Sequence, residues 1–213
     1  FVLDLRQYRD DQACDDTPAV PCPESYDPGR TLMGARQEAW VKEGLRASSA
    51  AWKVLGSSVE MLSWDSAPHL ALNPDGWDGY QAERRELLEH VRKHGIEDVT
   101  VLTGDIHTFV AGDVTNDGRV TGAPVATEFV GGSVTSEAVD GPVGEALAVN
   151  QVTNPHWKYV NFARRGYGVM DLTRDGAKVA FRSPTSIEQP QARIETLAEF
   201  EVRRGKPRVE RTS

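Results

Sequence analysis

Residues 98–107 read Asp-Val-Thr-Val-Leu-Thr-Gly-Asp-Ile-His. The first six of these residues form a nearly continuous apolar run, which is typical of a strand that is buried on both faces. The run stops at Gly104, and polar residues follow at once. The pattern predicts a buried β-strand whose carboxyl end leads into a short polar segment.

Two amphipathic helices are predicted upstream of this strand. Between residues 31 and 49, apolar or small residues recur at helical spacing with charged residues outside them. A second helix from about residue 80 to residue 94 has an apolar stripe and ends at Gly95, a normal C-terminal stop. The residues between the helices, 51–61, predict a buried strand followed by a loop.

The chain downstream of residue 107 is rich in β-strand patterns. Strands are predicted at 108–114, 124–130, 158–162, 168–173, 178–182 and 197–203. Asn-Asp-Gly at 116–118 and Arg-Asp-Gly at 174–176 are hairpin signals. Helix–strand units followed by antiparallel hairpins predict an α/β domain, layered in the α+β manner, that contains a β-sandwich.

Composition excludes several classes of protein. The chain has 213 residues, of which 39% are hydrophobic and 26% charged, so a folded globular protein is expected rather than a disordered one. No apolar run approaches the roughly 18 residues that cross a bilayer. The formal net charge is −8, without a Lys/Arg block, which argues against binding to a nucleic-acid backbone. If the protein handles phosphate esters, metal cations must supply the positive charge.

Cys14 and Cys22 lie at the two ends of an acidic stretch that contains proline. Such a short loop is easily closed by a disulfide, which would indicate an oxidising compartment: secreted, extracellular or in the cell envelope. Two free thiols are the alternative. Residues 1–5 resemble a strand that lacks an initiator Met or a signal sequence, so the chain is expected to be the later part of a longer protein.

The polar segment at the end of the central strand carries Asp105 and His107. In an extended segment, residues two apart point to the same side, so these two side chains would project together while Ile106 turns into the core. A carboxylate and an imidazole at this position suit a metal site or an acid/base pair. The alternative is an Asp that caps the next turn and a His bonded to the backbone. No G-x-S-x-G elbow, Walker loop or G-x-G-x-x-G motif is present.

A series of segments, in this order along the chain, resembles the later half of the PhoD-like alkaline phosphatase and phosphodiesterase family of the metallophosphoesterase superfamily. The resemblance covers residues 1 to about 182. It implies a two-sheet β-sandwich flanked by helices, of which 1–213 would be the C-terminal portion of a single metallophosphoesterase domain. The segments that carry it are 3–9, 32–40, 52–55, 75–80 with Arg84, 102–107, 128–130, 133–136, 154–156 and 166–167.

The resemblance also implies the chemistry. It implies metal-dependent hydrolysis of phosphomonoesters or phosphodiesters by a metal-bound water, with a phospholipase D-type reaction on phospholipids as a variant. Asp105 and His107 would be metal ligands, since Gly104–His107 takes the place of a Gly-His-x-His segment. Asp in place of the first His makes the site richer in oxygen, which suits calcium and iron (Fe³⁺) better than zinc. Gly56, Ser57 and Ser58 stand where the superfamily often has a metal-binding His.

Other residues are weaker candidates for binding substrate. Trp77, Asp78 and Tyr80 either form a pocket rim, with Trp77 against a leaving group, or anchor the helix that follows, with Asp78 as its cap. His156 either faces the site or shapes a turn. Arg6, like its neighbour Arg9, either contacts phosphate oxygens or forms a surface ion pair.

In such enzymes the earlier half of the domain supplies the remaining metal ligands. We therefore hypothesise that an N-terminal fragment of the same enzyme docks on this chain and completes the site. A non-catalytic, β-rich binding or accessory module is the alternative of another class. Contact with a membrane is expected only if the substrate is a phospholipid.

Overall fold

The computed structural model describes residues 1–18, 20–67, 70–116, 122–139 and 141–213. Within these ranges the chain forms three α-helices, and each of them is too short or too polar to span a bilayer. Short 3-10 helices occur at Ala13–Asp16, Pro23–Tyr26, Trp77–Gly79 and Val149–Val152. The α-helices are α1 (Ala35–Ala47), α2 (Gln81–Lys93) and α3 (Gly141–Ala148).

The strands form a five-stranded sheet in the order β1-β4-β6-β5-β7, a four-stranded sheet in the order β11-β10-β9-β8, and a ribbon of β2 and β3. The strands are β1 (Lys53–Gly56), β2 (Asp65–Ala67), β3 (Leu70–Ala71), β4 (Val99–Thr103), β5 (Phe109–Thr115), β6 (Pro124–Val130), β7 (Trp157–Asn161), β8 (Tyr167–Leu172), β9 (Gly176–Pro184), β10 (Ile194–Arg203) and β11 (Glu210–Arg211). In the larger sheet, β1, β4 and β6 are parallel, whereas β5 runs antiparallel to both of its neighbours.

The five-stranded sheet separates two hydrophobic cores. Successive side chains of a strand point to opposite faces, and β5 shows the consequence: Val110 joins the core beneath the helices, whereas Ala111 joins the core beneath the second sheet. In that second core the ring of Phe181 from β9 lies 4.9 Å from Phe109 and 5.2 Å from Phe200 of β10. Helices therefore cover one face of the larger sheet and the four-stranded sheet covers the other. The prediction of a layered α/β fold with two packed sheets is confirmed.

The predicted elements form with small shifts of their ends, and the structure adds some that sequence patterns missed. α3 was not predicted, because a segment with Gly141, Pro142 and Gly144 has little helical propensity. Residues 1–5 do not form a strand, since only Val2 makes an isolated bridge, to Gly56. The predicted turn at 116–118 lies largely outside the described residues.

The carboxyl ends of the three parallel strands lie at one edge of the larger sheet. There the Ser57 amide donates to the Leu102 carbonyl at 3.0 Å, and the Gly131 amide donates to the Thr103 carbonyl at 2.8 Å. The loops that follow β1, β4 and β6 therefore begin side by side. In open sheets of this kind, functional groups collect at such an edge.

Candidate functional site

The segment after β4 is a tight turn and not an extended strand. The Ile106 amide donates to the Gly104 carbonyl at 3.0 Å, and Asp105 and His107 have φ angles of 75° and 53°. The extended geometry predicted for these residues is wrong, because β5 runs opposite to β4 and the chain must reverse between Thr103 and Phe109. The inward position predicted for Ile106 is confirmed, since its side chain packs against the core.

Asp105 and His107 are both exposed on this turn. A left-handed backbone is uncommon for residues other than glycine and costs of order 1–3 kcal/mol where it occurs, so such residues concentrate at functional sites. A Cβ added at Gly104 would meet no atom within 4 Å, so the space beside the turn is open. Among the described residues, no three His, Cys, Asp or Glu side chains converge as a cation site. The turn therefore offers two donors to an open edge.

Arg6 bridges the turn to the loop that precedes α2. Its Nη1 donates to Asp75 Oδ2 at 2.6 Å, and its Nη2 donates to Asp105 Oδ1 at 3.0 Å. Of the two roles predicted for Arg6, the structure displays the ion pair. The guanidinium lies directly beside a predicted metal ligand, so positive charge is already present at this edge of the sheet.

Asp75 holds Arg6 in this place, although the sequence did not single it out. Its Oδ1 accepts from Arg9 Nη1 at 2.7 Å and from Gln12 Nε2 at 3.0 Å. Burial raises the pKa of Asp75, but the donors on Arg6, Arg9 and Gln12 outweigh it, and the pKa lies below its ordinary value. Asp75 is thus an ionised anchor for the segment that carries Arg6, at a sequence separation that no local pattern reveals.

Trp77 and Tyr80 lie in the core, which matches the anchoring alternative. Trp77 has no exposed surface, and its Nε1 donates to Ser57 Oγ at 3.5 Å. Tyr80 is 1% exposed, and its hydroxyl donates to the Asp10 carbonyl at 2.5 Å. Both side chains fix the loop before α2 onto the sheet, and neither presents a surface to a ligand in this structure.

Asp78 does not cap α2. Its Oδ1 lies 2.8 Å from Nη1 of Arg84, and its Oδ2 accepts from the Trp64 amide at 2.8 Å. Tyr80 occupies the position before the helix, without a side-chain cap. The prediction of a cap is wrong, because the arginine on the buried face of α2 draws the carboxylate inward, and both charges are fully buried there.

Glu128 on β6 ties the loops at this edge together. Its carboxylate accepts from the amide of Met61 at 2.8 Å, from the amide of Leu62 at 2.5 Å, and from the Thr103 hydroxyl. Burial raises the pKa of Glu128, and these donors, together with the charge of Arg84, partly offset the effect. A glutamate within a mostly apolar strand, Pro124–Val130, is the sequence signal that points to this residue.

Glu60 is a second buried carboxylate under the same loops. Asn73 Nδ2 donates to its Oε1 at 2.5 Å, and burial raises its pKa well above the ordinary value. A Cβ at Gly76 would lie 2.5 Å from that same oxygen, so a larger residue at position 76 would require the Glu60 carboxylate to move. The loop after β1 and the loop before α2 are therefore packed as one unit.

His156 is buried beneath the loop after β1. Its Nε2 donates to the Ser63 carbonyl at 2.9 Å, whereas its Nδ1 has no hydrogen-bond partner among the residues that the structure describes. Burial lowers the pKa of His156 to about 4, so the ring is neutral near pH 7. Of the two predicted roles, shaping the backbone is the one that these contacts display.

The segment that leads from Arg6 toward α1 is closed by a disulfide. Cys14 and Cys22 are joined, with Cα atoms 5.9 Å apart. The bridge lies two residues beyond Gln12, which also binds Asp75. Crosslinking limits the motion of the segment that follows Gln12.

The chain thus exposes a carboxylate and an imidazole, which are donor types that metal cations accept, and it places a guanidinium, a donor type suited to anions, against that carboxylate. The family model for PhoD-like phosphatase matches residues 1–181. Alkaline phosphatase D from Bacillus subtilis (strain 168) is 35% identical over 204 residues, which cover 93% of this chain and 34% of that protein. A solved structure described as the structure of PhoD matches with a TM-score of 0.91 and 32% identity, covering 100% of this chain and 41% of that one. The chain thus spans about a third of the length of the curated relative.

Proposed function

The chain belongs to the PhoD-like phosphatase family, and on this premise we propose that it forms part of a metal-dependent phosphoester hydrolase. The observation that carries the proposal is the turn that presents Asp105 and His107 to solvent with Arg6 against Asp105. Hydrolysis of a phosphate ester needs positive charge near the phosphoryl oxygens. A net acidic chain meets that need at this edge with a cation and one arginine.

Asp105 and His107 fit a cation as part of a donor set. A carboxylate oxygen and an imidazole nitrogen suit hard and borderline metals, and we propose iron and calcium ahead of zinc. A bound cation would polarise the phosphoryl group and offset its negative charge. The left-handed backbone at both residues keeps the two donors on the solvent side while Ile106 holds the turn to the core.

Residues of this chain also position the substrate. Arg6 is the residue that we assign to the phosphoryl oxygens, because its planar fork of donors matches them in geometry. Asp75 orients that fork, and Glu128 fixes the end of β4 through Thr103. Such oxygens are present in phosphomonoesters, phosphodiesters and phospholipids alike. An assay with one substrate of each class distinguishes among them.

Further donors would come from a companion segment. Since the described residues bring only two donors to the turn, we propose that an earlier part of the same enzyme supplies the others. Supporting this, the match covers 34% of alkaline phosphatase D, which leaves most of that relative outside the aligned region. The intact particle should then contain both parts and a stoichiometric metal.

The disulfide supports a proposal about the compartment. A Cys14–Cys22 bridge persists where the surroundings are oxidising, so we propose a secreted, extracellular or cell-envelope location. A thiol count on protein taken directly from culture medium and from cell lysate tests it. Free thiols at both cysteines in every fraction would contradict this location.

The decisive experiment replaces the two donors with asparagine in the complete protein. Asparagine tolerates a left-handed backbone, so Asp105→Asn and His107→Asn change the donors without forcing the turn to open. We expect each variant to lose metal, measured by elemental analysis, and to lose at least about 100-fold in kcat/KM. Asp171→Asn, on the exposed strand β8, is the matched control.

The substrates in this assay are p-nitrophenyl phosphate, bis-p-nitrophenyl phosphate and phosphatidylcholine, the last followed by release of choline. Turnover of only one of them assigns the ester class. Wild-type metal content with wild-type turnover in Asp105→Asn would remove the assignment of the site. A metal-free protein that hydrolyses none of the three would favour the non-catalytic binding module.

A further inference from the structure

Arg6 contacts two carboxylates, and the two contacts differ in length and in exposure to solvent. The contact of Nη1 with Asp75 is 2.6 Å long, whereas the contact of Nη2 with Asp105 is 3.0 Å long. Asp75 also binds Arg9 and Gln12, and its side chain is 21% exposed against 33% for Asp105. The guanidinium is therefore anchored at Asp75, and its bond to Asp105 is the longer and more solvated one.

A cation bound at Asp105 would compete with this bond and weaken it. The cation needs the same carboxylate, and its charge repels a guanidinium that lies within hydrogen-bond distance of that carboxylate. The bond to Asp105 is the one that gives way, because three donors converge on Asp75. Arg6 then stays near the site, held by Asp75, with Nη2 released.

From this asymmetry we propose that Arg6 is an exchangeable counterion of Asp105. It neutralises the carboxylate when no cation is bound. When a cation binds, the released Nη2 of Arg6 becomes a hydrogen-bond donor to a phosphoryl oxygen. The inference rests on the proposed function, since it takes Asp105 as a cation ligand. It adds an order of events: the cation binds first and thereby creates the anion site, so phosphate binds tightly only after the cation.

Replacing Arg6 should therefore change the affinity for the cation and the affinity for phosphate in opposite directions. In Arg6→Gln the cation no longer competes with a guanidinium, so its affinity should rise by about two- to fivefold, the range that a solvated ion pair represents. Inorganic phosphate should bind about tenfold more weakly to the cation-loaded variant, because a charge-assisted donor is lost. High salt should shrink both differences.

Arg9→Gln is the matched control. It removes the same charge from the same anchor, Asp75, but Arg9 makes its contacts with Asp75 and not with Asp105. Calcium affinity of this variant should stay within about twofold of wild type if the effect is specific to the exchangeable contact. An equal gain in both variants would mean a general electrostatic effect and would overturn the proposal.

The experiment is isothermal titration calorimetry on the intact natural protein, including any companion segment. Ca²⁺ is titrated first, and inorganic phosphate is then titrated into the calcium-loaded protein. Circular dichroism confirms the fold of each variant, and Asp105→Asn reports whether Ca²⁺ uses this site. Tighter calcium and weaker phosphate in Arg6→Gln, but not in Arg9→Gln, supports the exchange.

Two other outcomes overturn the exchange, and they differ in what they say of the function. Calcium binding that depends on Asp105 but is unchanged in Arg6→Gln overturns the exchange and leaves the hydrolase proposal intact. Calcium binding that is absent in wild type, together with absent ester hydrolysis, overturns both.

Discussion

Arg84 and Asp78 form an ion pair in the interior, with 2.8 Å between Nη1 and Oδ1 and with side-chain exposures of 0% and 1%. Arg84 also donates to the Met61 carbonyl at 3.1 Å. The pair therefore connects α2, the loop before α2 and the loop after β1. These are the loops on which the candidate site rests, so the pair links the stability of the protein to the geometry of the site.

Replacing Asp78 should be strongly destabilising. Asp78→Ala leaves the Arg84 charge buried without its partner, which costs about 3–5 kcal/mol of unfolding free energy. Equilibrium denaturation in urea measures the loss. Glu86→Ala, which breaks an exposed ion pair with Lys42, is the control and should leave the midpoint nearly unchanged. Equal effects of the two variants would contradict a critical role for the buried pair.

The burial of His156 predicts that the protein loses stability as the pH falls. Burial holds its pKa at about 4, with Arg84 and Lys158 also lowering it and Asp78 raising it, whereas the ordinary value is 6.5. As pH falls below 6.5, the unfolded state takes up the proton first, so stability is lost progressively down to about pH 4. The loss amounts to roughly 3 kcal/mol.

The measurement compares the unfolding free energy at pH 7 and at pH 4 in wild type and in His156→Gln. The variant can still donate to the Ser63 carbonyl but does not titrate, so its loss on acidification should be smaller by that amount. An unchanged pH dependence in His156→Gln would show that the ring is not held neutral by burial.

The left-handed turn predicts an order of stability among three replacements of Asp105. Asp105→Gly and Asp105→Asn should both be more stable than Asp105→Ala by about 1 kcal/mol, since alanine resists a φ of 75°. All three variants lack the carboxylate charge. Asn keeps an oxygen that can accept from Arg6, whereas Gly and Ala both lose that contact, so the difference between Gly and Ala isolates the backbone effect. Thermal unfolding gives the order, and alanine as the most stable of the three would mean that the segment is extended after all.

The disulfide predicts a stability loss on reduction. Cys14 and Cys22 are 8 residues apart, and closing so short a loop is worth roughly 2–3 kcal/mol in the chain-entropy account. The double variant Cys14→Ser, Cys22→Ser should lose this amount, and reductant should then have no further effect on it. A wild-type protein whose unfolding is insensitive to reductant would contradict a structural role for the bridge.

Much of the fold could be predicted from local patterns. Two helices and one strand form with small shifts at their ends, at the predicted positions 31–49, 80–94 and 98–103. They could be predicted because buried apolar residues recur every three or four positions in a helix and every two positions in a strand. α3 escaped prediction because glycine and proline weaken the helical signal in its first half. The ribbon of β2 and β3 escaped because strands of two or three residues carry too little pattern.

The candidate site shows the same division between features that local sequence patterns predict and features that they do not. Its two candidate donors, Asp105 and His107, could be singled out from the sequence because they follow directly on the most strongly patterned strand of the chain, and their role as ligands stays a prediction. Their backbone geometry could not be found, because the reversal after β4 depends on β5 pairing antiparallel with β6 and β7. The cap predicted for Asp78 failed for the same reason, because its partner was decided by packing.

The sequence by itself determined where most of the strands and the two longer helices lie and which side chains carry charge at the end of β4. Only the tertiary structure decided which of those charges meet: Arg6 contacts Asp105 across 99 positions of the chain, and Glu128 reaches the Met61 amide across 67. Local elements follow from neighbours within one turn or one pleat, which any window of sequence contains. A contact between distant residues exists only after the whole chain has closed its loops and buried its cores.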